Sequence, residues 1–188
     1  GLNNVTKQFL NNGNKAYKRG NLDKATDYYQ KAIKYDVDFY LAFYQLGVLE
    51  QKIGNSKEAI LYFNKAIMIK PDFYKAWFTL GTSYEVNNNL DSAIVKYEKA
   101  IEINPVYTKA YSNLGNIRLI RKEYEEAKRI LLTAIQIDST YSDAYLRLGV
   151  IYTEQELFTE ASEQFKKSTE YDNKNYDTWF RYASSLNA

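Results

Sequence analysis

The sequence contains neither cysteine nor histidine. Disulfides, thiol nucleophiles, imidazole bases and the usual zinc sites are therefore excluded. Proline is reduced to two residues, and no stretch reads as a long linker. No apolar run approaches the roughly 18–20 residues of a membrane span, and no signal-peptide pattern opens the chain. Neither sign of charge dominates: 25 basic and 23 acidic residues leave +2, too little to attract nucleic acid or a membrane in bulk. Phosphate-binding loops of the G-x-x-x-x-G-K-[ST] or G-x-G-x-x-G kind are missing, and no serine can find a histidine base. A catalytic or cofactor-binding role is not expected. The stretch Asp172-Asn173-Lys174-Asn175 falls short of a calcium loop, with Lys174 at a ligand slot and Ala183 in place of the closing glutamate. Asn4-Val5-Thr6 is a glycosylation sequon that an asparagine-rich chain supplies by chance. Because residue 1 is Gly and not Met, the sequence is read as a trimmed chain. Targeting segments beyond it stay open, and the cytoplasm is the favoured compartment.

What is present in quantity is apolar surface, 45% of 188 residues, with 19 tyrosines. Its arrangement is periodic. Gly13, Gly47, Gly81, Gly115 and Gly149 stand 34 residues apart without one insertion. Ala25, Ala59, Ala93, Ala127 and Ala161 keep that interval, as do Ala32, Ala66, Ala100 and Ala134, with Ser168 closing the series. An aromatic precedes each glycine by four residues: Phe9, Phe43, Trp77, Tyr111 and Tyr145, then Trp179 in an unfinished sixth unit. Internal repetition at this period signals a stacked array.

Each unit holds two helix-length segments. In the third, residues 74–87 and 90–103 carry apolar positions at helical spacing, broken by Asn87-Asn88-Asn89. The other internal turns are Gly20-Asn21, Gly54-Asn55, Arg121-Lys122-Glu123 and Gln155-Glu156. Pro71 and Pro105 stop the second helices, and no segment alternates with period two for long. The mid-helix glycines cost about 1 kcal/mol each relative to alanine. They are expected where two backbones approach closely, beside large side chains whose burial returns about 1.5–3 kcal/mol.

The third unit resembles the tetratricopeptide repeat through Trp77, Leu80-Gly81, Tyr84, Ala93, Tyr97, Ala100 and Pro105. The resemblance extends over five units, 6–39, 40–73, 74–107, 108–141 and 142–175, with 176–187 as a partial sixth or a capping helix. Together they form one repeat domain spanning 1–188. Departures are local: Asn12 replaces the leucine before Gly13, as suits an end unit with one wet face. Glu50 and Arg118 take the usual tyrosine position, and Val37, Ser139 and Asn173 the usual proline position.

The resemblance implies an all-α fold, a right-handed superhelical solenoid of antiparallel helix pairs whose first helices line a concave groove. It further implies a non-catalytic scaffold that binds a peptide or partner segment there. The residues expected to line the groove are Tyr44, Gln45, Phe78, Thr82, Asn113, Asn116, Leu146, Arg147 and Arg181. Amides would satisfy a peptide backbone, Phe78 and Leu146 would take apolar anchors, and Arg147 and Arg181 would pair acidic groups. The plain alternative is that Tyr44, Phe78 and Leu146 pack between neighbouring first helices. The pair Asn113 and Asn116 is similar to the asparagine ladder of glycosyltransferase-type repeats, but only one unit has it. The carboxylate clamp of chaperone-binding members is not matched, since Leu10, Thr79 and Asp143 stand where cations are required. Two further functions remain open: a substrate-recruiting arm of a larger enzyme, such as a glycosyltransferase, and self-assembly into a homo-oligomer. The repeat charges of +3, +1, −1, +2 and −3 would permit head-to-tail contact. No nucleic-acid partner and no membrane insertion are expected.

Overall fold

The computed structural model describes residues 4–186, and among them lie eleven α-helices and no strand. Asn187, the last residue of the expected sixth segment, lies outside the described residues. The first compact unit runs to Ile103 and holds α1 (Asn4–Lys18), α2 (Leu22–Tyr35), α3 (Tyr40–Lys52), α4 (Ser56–Ile69), α5 (Tyr74–Val86) and α6 (Leu90–Ile103). The second begins at Asn104 and holds α7 (Thr108–Ile120), α8 (Tyr124–Ile137), α9 (Ser142–Glu154), α10 (Phe158–Tyr171) and α11 (Tyr176–Ser185). Within each unit, odd-numbered helices pack against the even-numbered helix that follows, and each pair packs on the next. Among the described residues no helix is long and apolar enough to cross a membrane.

The helices stop and start for local reasons. At positions 20, 54, 88, 122 and 156 the backbone enters the left-handed region that ends helices most cheaply with glycine. Gly20 and Gly54 take it at φ +77° and +87°, whereas Asn88, Lys122 and Glu156 hold it near +60°. The next amide reaches back to close the turn, as from Asn21 N to Ala16 O at 3.0 Å and from Leu157 N to Tyr152 O at 2.9 Å. Asn21, Asn89 and Asn175 then accept a backbone N–H from the first turn of α2, α6 and α11. Between pairs, the side chains of Asp36, Asn104, Asp138 and Asp172 each accept the N–H two residues on.

The periodic small residues make the helix crossings. Ala25, Ala59, Ala93, Ala127 and Ala161 are fully buried. A Cβ built on Gly47, Gly81, Gly115 or Gly149 would lie 2.5–2.8 Å from the side chain sixteen residues on: Phe63, Tyr97, Leu131 and Phe165 respectively. Gly13 bears the same relation to Tyr29. The second helix thus seats one large side chain directly on the first helix's backbone. Tyr29, Tyr97, Phe63 and Phe165 are among the largest fully buried side chains of the molecule. The propensity lost at glycine is smaller than the burial it permits, about 1 against 1.5–3 kcal/mol.

Candidate binding surface

The aromatic four residues before each glycine does more than fill space. Trp77 Nε1 donates to Pro71 O at 2.8 Å, Tyr111 Oη to Pro105 O at 3.0 Å, Tyr145 Oη to Ser139 O at 3.0 Å and Trp179 Nε1 to Asn173 O at 3.2 Å. Each bond ties a first helix to the turn that delivers it, six residues upstream. Phe9 and Phe43 lack the polar atom for this. The bond also explains why proline is dispensable at 139 and 173: the acceptor is a backbone carbonyl, which any residue provides.

In the first unit, the first-helix face is fixed by bonds between successive first helices. Gln51 Nε2 on α3 donates to Thr82 Oγ1 at 3.1 Å and to Ser83 Oγ at 3.2 Å on α5. Tyr44 Oη and Thr79 Oγ1 lie 3.3 Å apart across the same junction. Thr82 completes the chain by donating to Thr79 O at 2.7 Å. The ring of Tyr44 lies 5.0 Å from Phe73 and 5.8 Å from Phe63, and Phe78 lies 5.5 Å from Tyr97. Both rings are therefore half-buried and packed on neighbouring rings. Gln45 is partly exposed on α3, and its side chain makes no hydrogen bond. Asn14 on α1 has its carbonyl oxygen engaged by Tyr29 Oη at 2.9 Å. Burial pushes the Tyr29 phenol up to about 12, with Tyr17 adding to the effect.

In the second unit, Ser112 on α7 and Asp143 and Arg147 on α9 form one cluster. Arg147 Nε donates to Asp143 Oδ2 at 2.9 Å and to Ser112 Oγ at 3.0 Å, and Ser112 Oγ donates to the same carboxylate oxygen at 2.5 Å. The residue that stood in place of a clamp lysine thus neutralises Arg147 from within the chain. Tyr141 is raised above its ordinary phenol range, chiefly by burial and further by Asp143. Asn113, Asn116 and Leu146 lie half-buried on α7 and α9. Arg181 on α11 is exposed and pairs with Asp177 at 2.8 Å. It borders a pocket of about 310 Å³ with Thr153, Phe158, Phe165 and Phe180.

The sequence-predicted residues therefore fall on two stretches, Tyr44, Gln45, Phe78 and Thr82 in one unit and Asn113, Asn116, Leu146, Arg147 and Arg181 in the other. Two polar residues that organise them, Ser83 and Ser112, were not among the candidates. For the two serines the one signal was composition: buried serines at helical positions where apolar residues are the norm.

Tetratricopeptide repeat profiles match residues 10–72 and both 108–141 and 142–175, and a TPR repeat profile matches 86–119. No curated protein matches the chain. Among solved structures, a MamA protein is 27% identical, with 92% of this chain and 94% of that chain covered at a TM-score of 0.75. A thermophilic TPR protein of Thermus thermophilus is 22% identical, with 97% and 100% covered and a TM-score of 0.74. YrrB, described as a TPR protein with an unusual peptide-binding site, is 22% identical, with 96% and 98% covered and a TM-score of 0.71. The 34-residue period, the glycine crossings, the paired helices and these matches agree: the chain belongs to the tetratricopeptide repeat family.

Proposed function

We propose that this chain is a non-catalytic protein-interaction scaffold that holds a peptide or partner segment against the faces of its first helices. The observation that carries the reading is the set of side-chain bonds joining successive first helices: Tyr44 with Thr79, Gln51 with Thr82 and Ser83, and Arg147 with Ser112. They hold polar groups and ring edges in place before any partner arrives, which lowers the entropic cost of binding. Gln45, Asn113 and Asn116 are the groups suited to a peptide backbone, and Phe78 and Leu146 offer apolar edges. The pocket beside Phe180 and Arg181 suits one larger apolar side chain. The structural likeness to YrrB supports a peptide as the occupant.

The test is selection from a random dodecapeptide library followed by calorimetric titration of the best binder. Gln45→Ala/Phe78→Ala and Asn113→Ala/Asn116→Ala, each first checked for an unchanged fold, would separate the two stretches. At least one pair should weaken binding tenfold or more. Full affinity in both would remove the first-helix faces from the reading.

Self-association is a second reading, favoured by the exposed rings on α11. Sedimentation of Phe180→Asp beside the parent chain decides it, because only a dimer formed through α11 would dissociate.

A further inference from the structure

A second feature lies at the outer face of the first pair, away from every residue assigned above. In α3, Leu46 and Leu49 are only 1% and 2% exposed, packed on Ala16, Ala25 and Tyr29. The equivalent positions 34 residues earlier are Asn12 and Lys15 on α1, half-buried and exposed respectively. An uncovered end needs polar residues, but it does not need them all to be of one sign.

Here they are. A pocket of about 350 Å³ opens between α1 and α2, lined by Asn12, Lys15 and Arg19 from one side and Asn21, Lys24 and Tyr28 from the other. Asn12, Lys15 and Arg19 follow one another at helical intervals of three and four, so they share a face. Among the described residues none of these three cations is in an ion pair, and no carboxylate lines the pocket. The nearby carboxylate of Asp27 is taken by Lys31 at 2.7 Å. Asn21 uses Oδ1 to cap α2 through Lys24 N and carries a further donor in Nδ2. The positive end of the α2 dipole adds to the same field. Tyr28 brings an aromatic wall, with Lys24 Nζ 6.0 Å from its ring centre.

We propose that this pocket binds an acidic peptide segment. Lys15, Arg19 and Lys24 take carboxylates or phosphates spaced along the segment, Asn12 and Asn21 bond its backbone, and Tyr28 packs on an intervening apolar side chain. Charge complementarity supplies the specificity, and the contact is salt-sensitive. The site is separate from the first-helix faces and does not depend on their role.

The experiment is a fluorescence anisotropy titration of the full chain with a labelled peptide of alternating Glu and Phe. The peptide should bind, weakening as salt is raised, while its Gln-for-Glu counterpart should not. Lys15→Gln/Arg19→Gln/Lys24→Gln should weaken binding tenfold or more. Lys57→Gln/Lys65→Gln/Lys75→Gln removes the same charge from other positions of the unit and should change it no more than twofold. Both triple variants are compared only once their melting temperatures match the parent's. A phosphoserine-for-Glu peptide that binds more tightly, and loses affinity in the first triple variant, supports the pocket and assigns phosphate; weaker binding with the same loss assigns carboxylate. Equal binding of the Gln peptide, equal loss in both triple variants, or no binding at millimolar protein would overturn the proposal.

Discussion

The outer faces of α1 and α11 meet the same problem in opposite ways. On α1, positions that are leucine in the next pair have become Asn12 and Lys15, and the pocket they line is polar and basic. On α11 the pattern is left as though a second helix followed. Tyr176, Trp179, Phe180 and Leu186 are 85%, 45%, 71% and 63% exposed. The equivalents of Phe180 in interior pairs include Phe78, which lies on the ring of Tyr97, and, one repeat earlier, Tyr44, which lies on Phe63. Among the described residues no helix covers α11 in that way. A repeat position is thus not apolar or small in its own right: between packed pairs its residue answers a particular neighbour, whereas on α1 it has changed and on α11 it has not.

Exchanging the residues at equivalent positions should break the comparison most severely at the first pair. Leu49→Lys places an ammonium where the leucine is 2% exposed among Ala16, Ala25 and Tyr29. A loss of about 3 kcal/mol or more is expected from burying an unpaired charge. Lys15→Leu, the same exchange reversed, should change stability by less than about 1 kcal/mol while lowering solubility. Denaturant midpoints measure both. Comparable losses in the two variants would mean that α1 is covered in solution.

The glycine positions give the next largest contrast. Gly81→Leu drives a side chain into Tyr97, whose ring already lies 2.6 Å from where a Cβ would sit. About 2–3 kcal/mol should be lost through overpacking. At the equivalent position of α11 the residue is Ala183, and it is exposed. Ala183→Leu should therefore stay within about 0.5 kcal/mol of the parent. Thermal melting of the two variants is sufficient. A Gly81→Leu variant that melts with the parent would refute the close crossing.

Much of this was legible before any coordinates. The third pair was expected over residues 74–87 and 90–103 and is found at Tyr74–Val86 and Leu90–Ile103. The repeat interval located the crossings because glycine and alanine are costly to replace at a close approach. The site was harder to read. Helical spacing could place Tyr44 and Phe78 on first helices, but the aromatic rings they pack on come from 19 to 29 positions away, on other helices or the turns before them. The pairing of Arg147 with Asp143 is a helical i, i+4 contact and was open to inspection. What pattern could not show was Ser112 joining it from α7. Nor could it reveal the bonds from Trp77, Tyr111, Tyr145 and Trp179 to carbonyls, since a carbonyl leaves no mark on the sequence. The basic pocket was hidden for a related reason, because its lining comes from two helices together.

The smallest expected effect tests whether the pattern also loosens toward α11. Ser168 stands in an alanine series and is accommodated by donating to Ser142 O at 2.9 Å. Thr178 stands in another, buried with its hydroxyl unpartnered. Glu156 holds a left-handed turn at φ +60° that Gly54 makes at +87°. A non-glycine residue in that region costs roughly 1–2 kcal/mol. Glycine removes that strain but adds about 0.5–1 kcal/mol of chain entropy to be lost on folding. Glu156→Gly should accordingly raise stability by about 0.5 kcal/mol, and Gly54→Glu should lower it by about the same amount. Paired denaturant titrations resolve a difference of this size between the two variants. Opposite signs would show that the turn near α11 carries uncompensated strain. A loss in both would mean that Glu156 makes a compensating contact in solution, and that the turn at that end is as well fitted as those of the first unit.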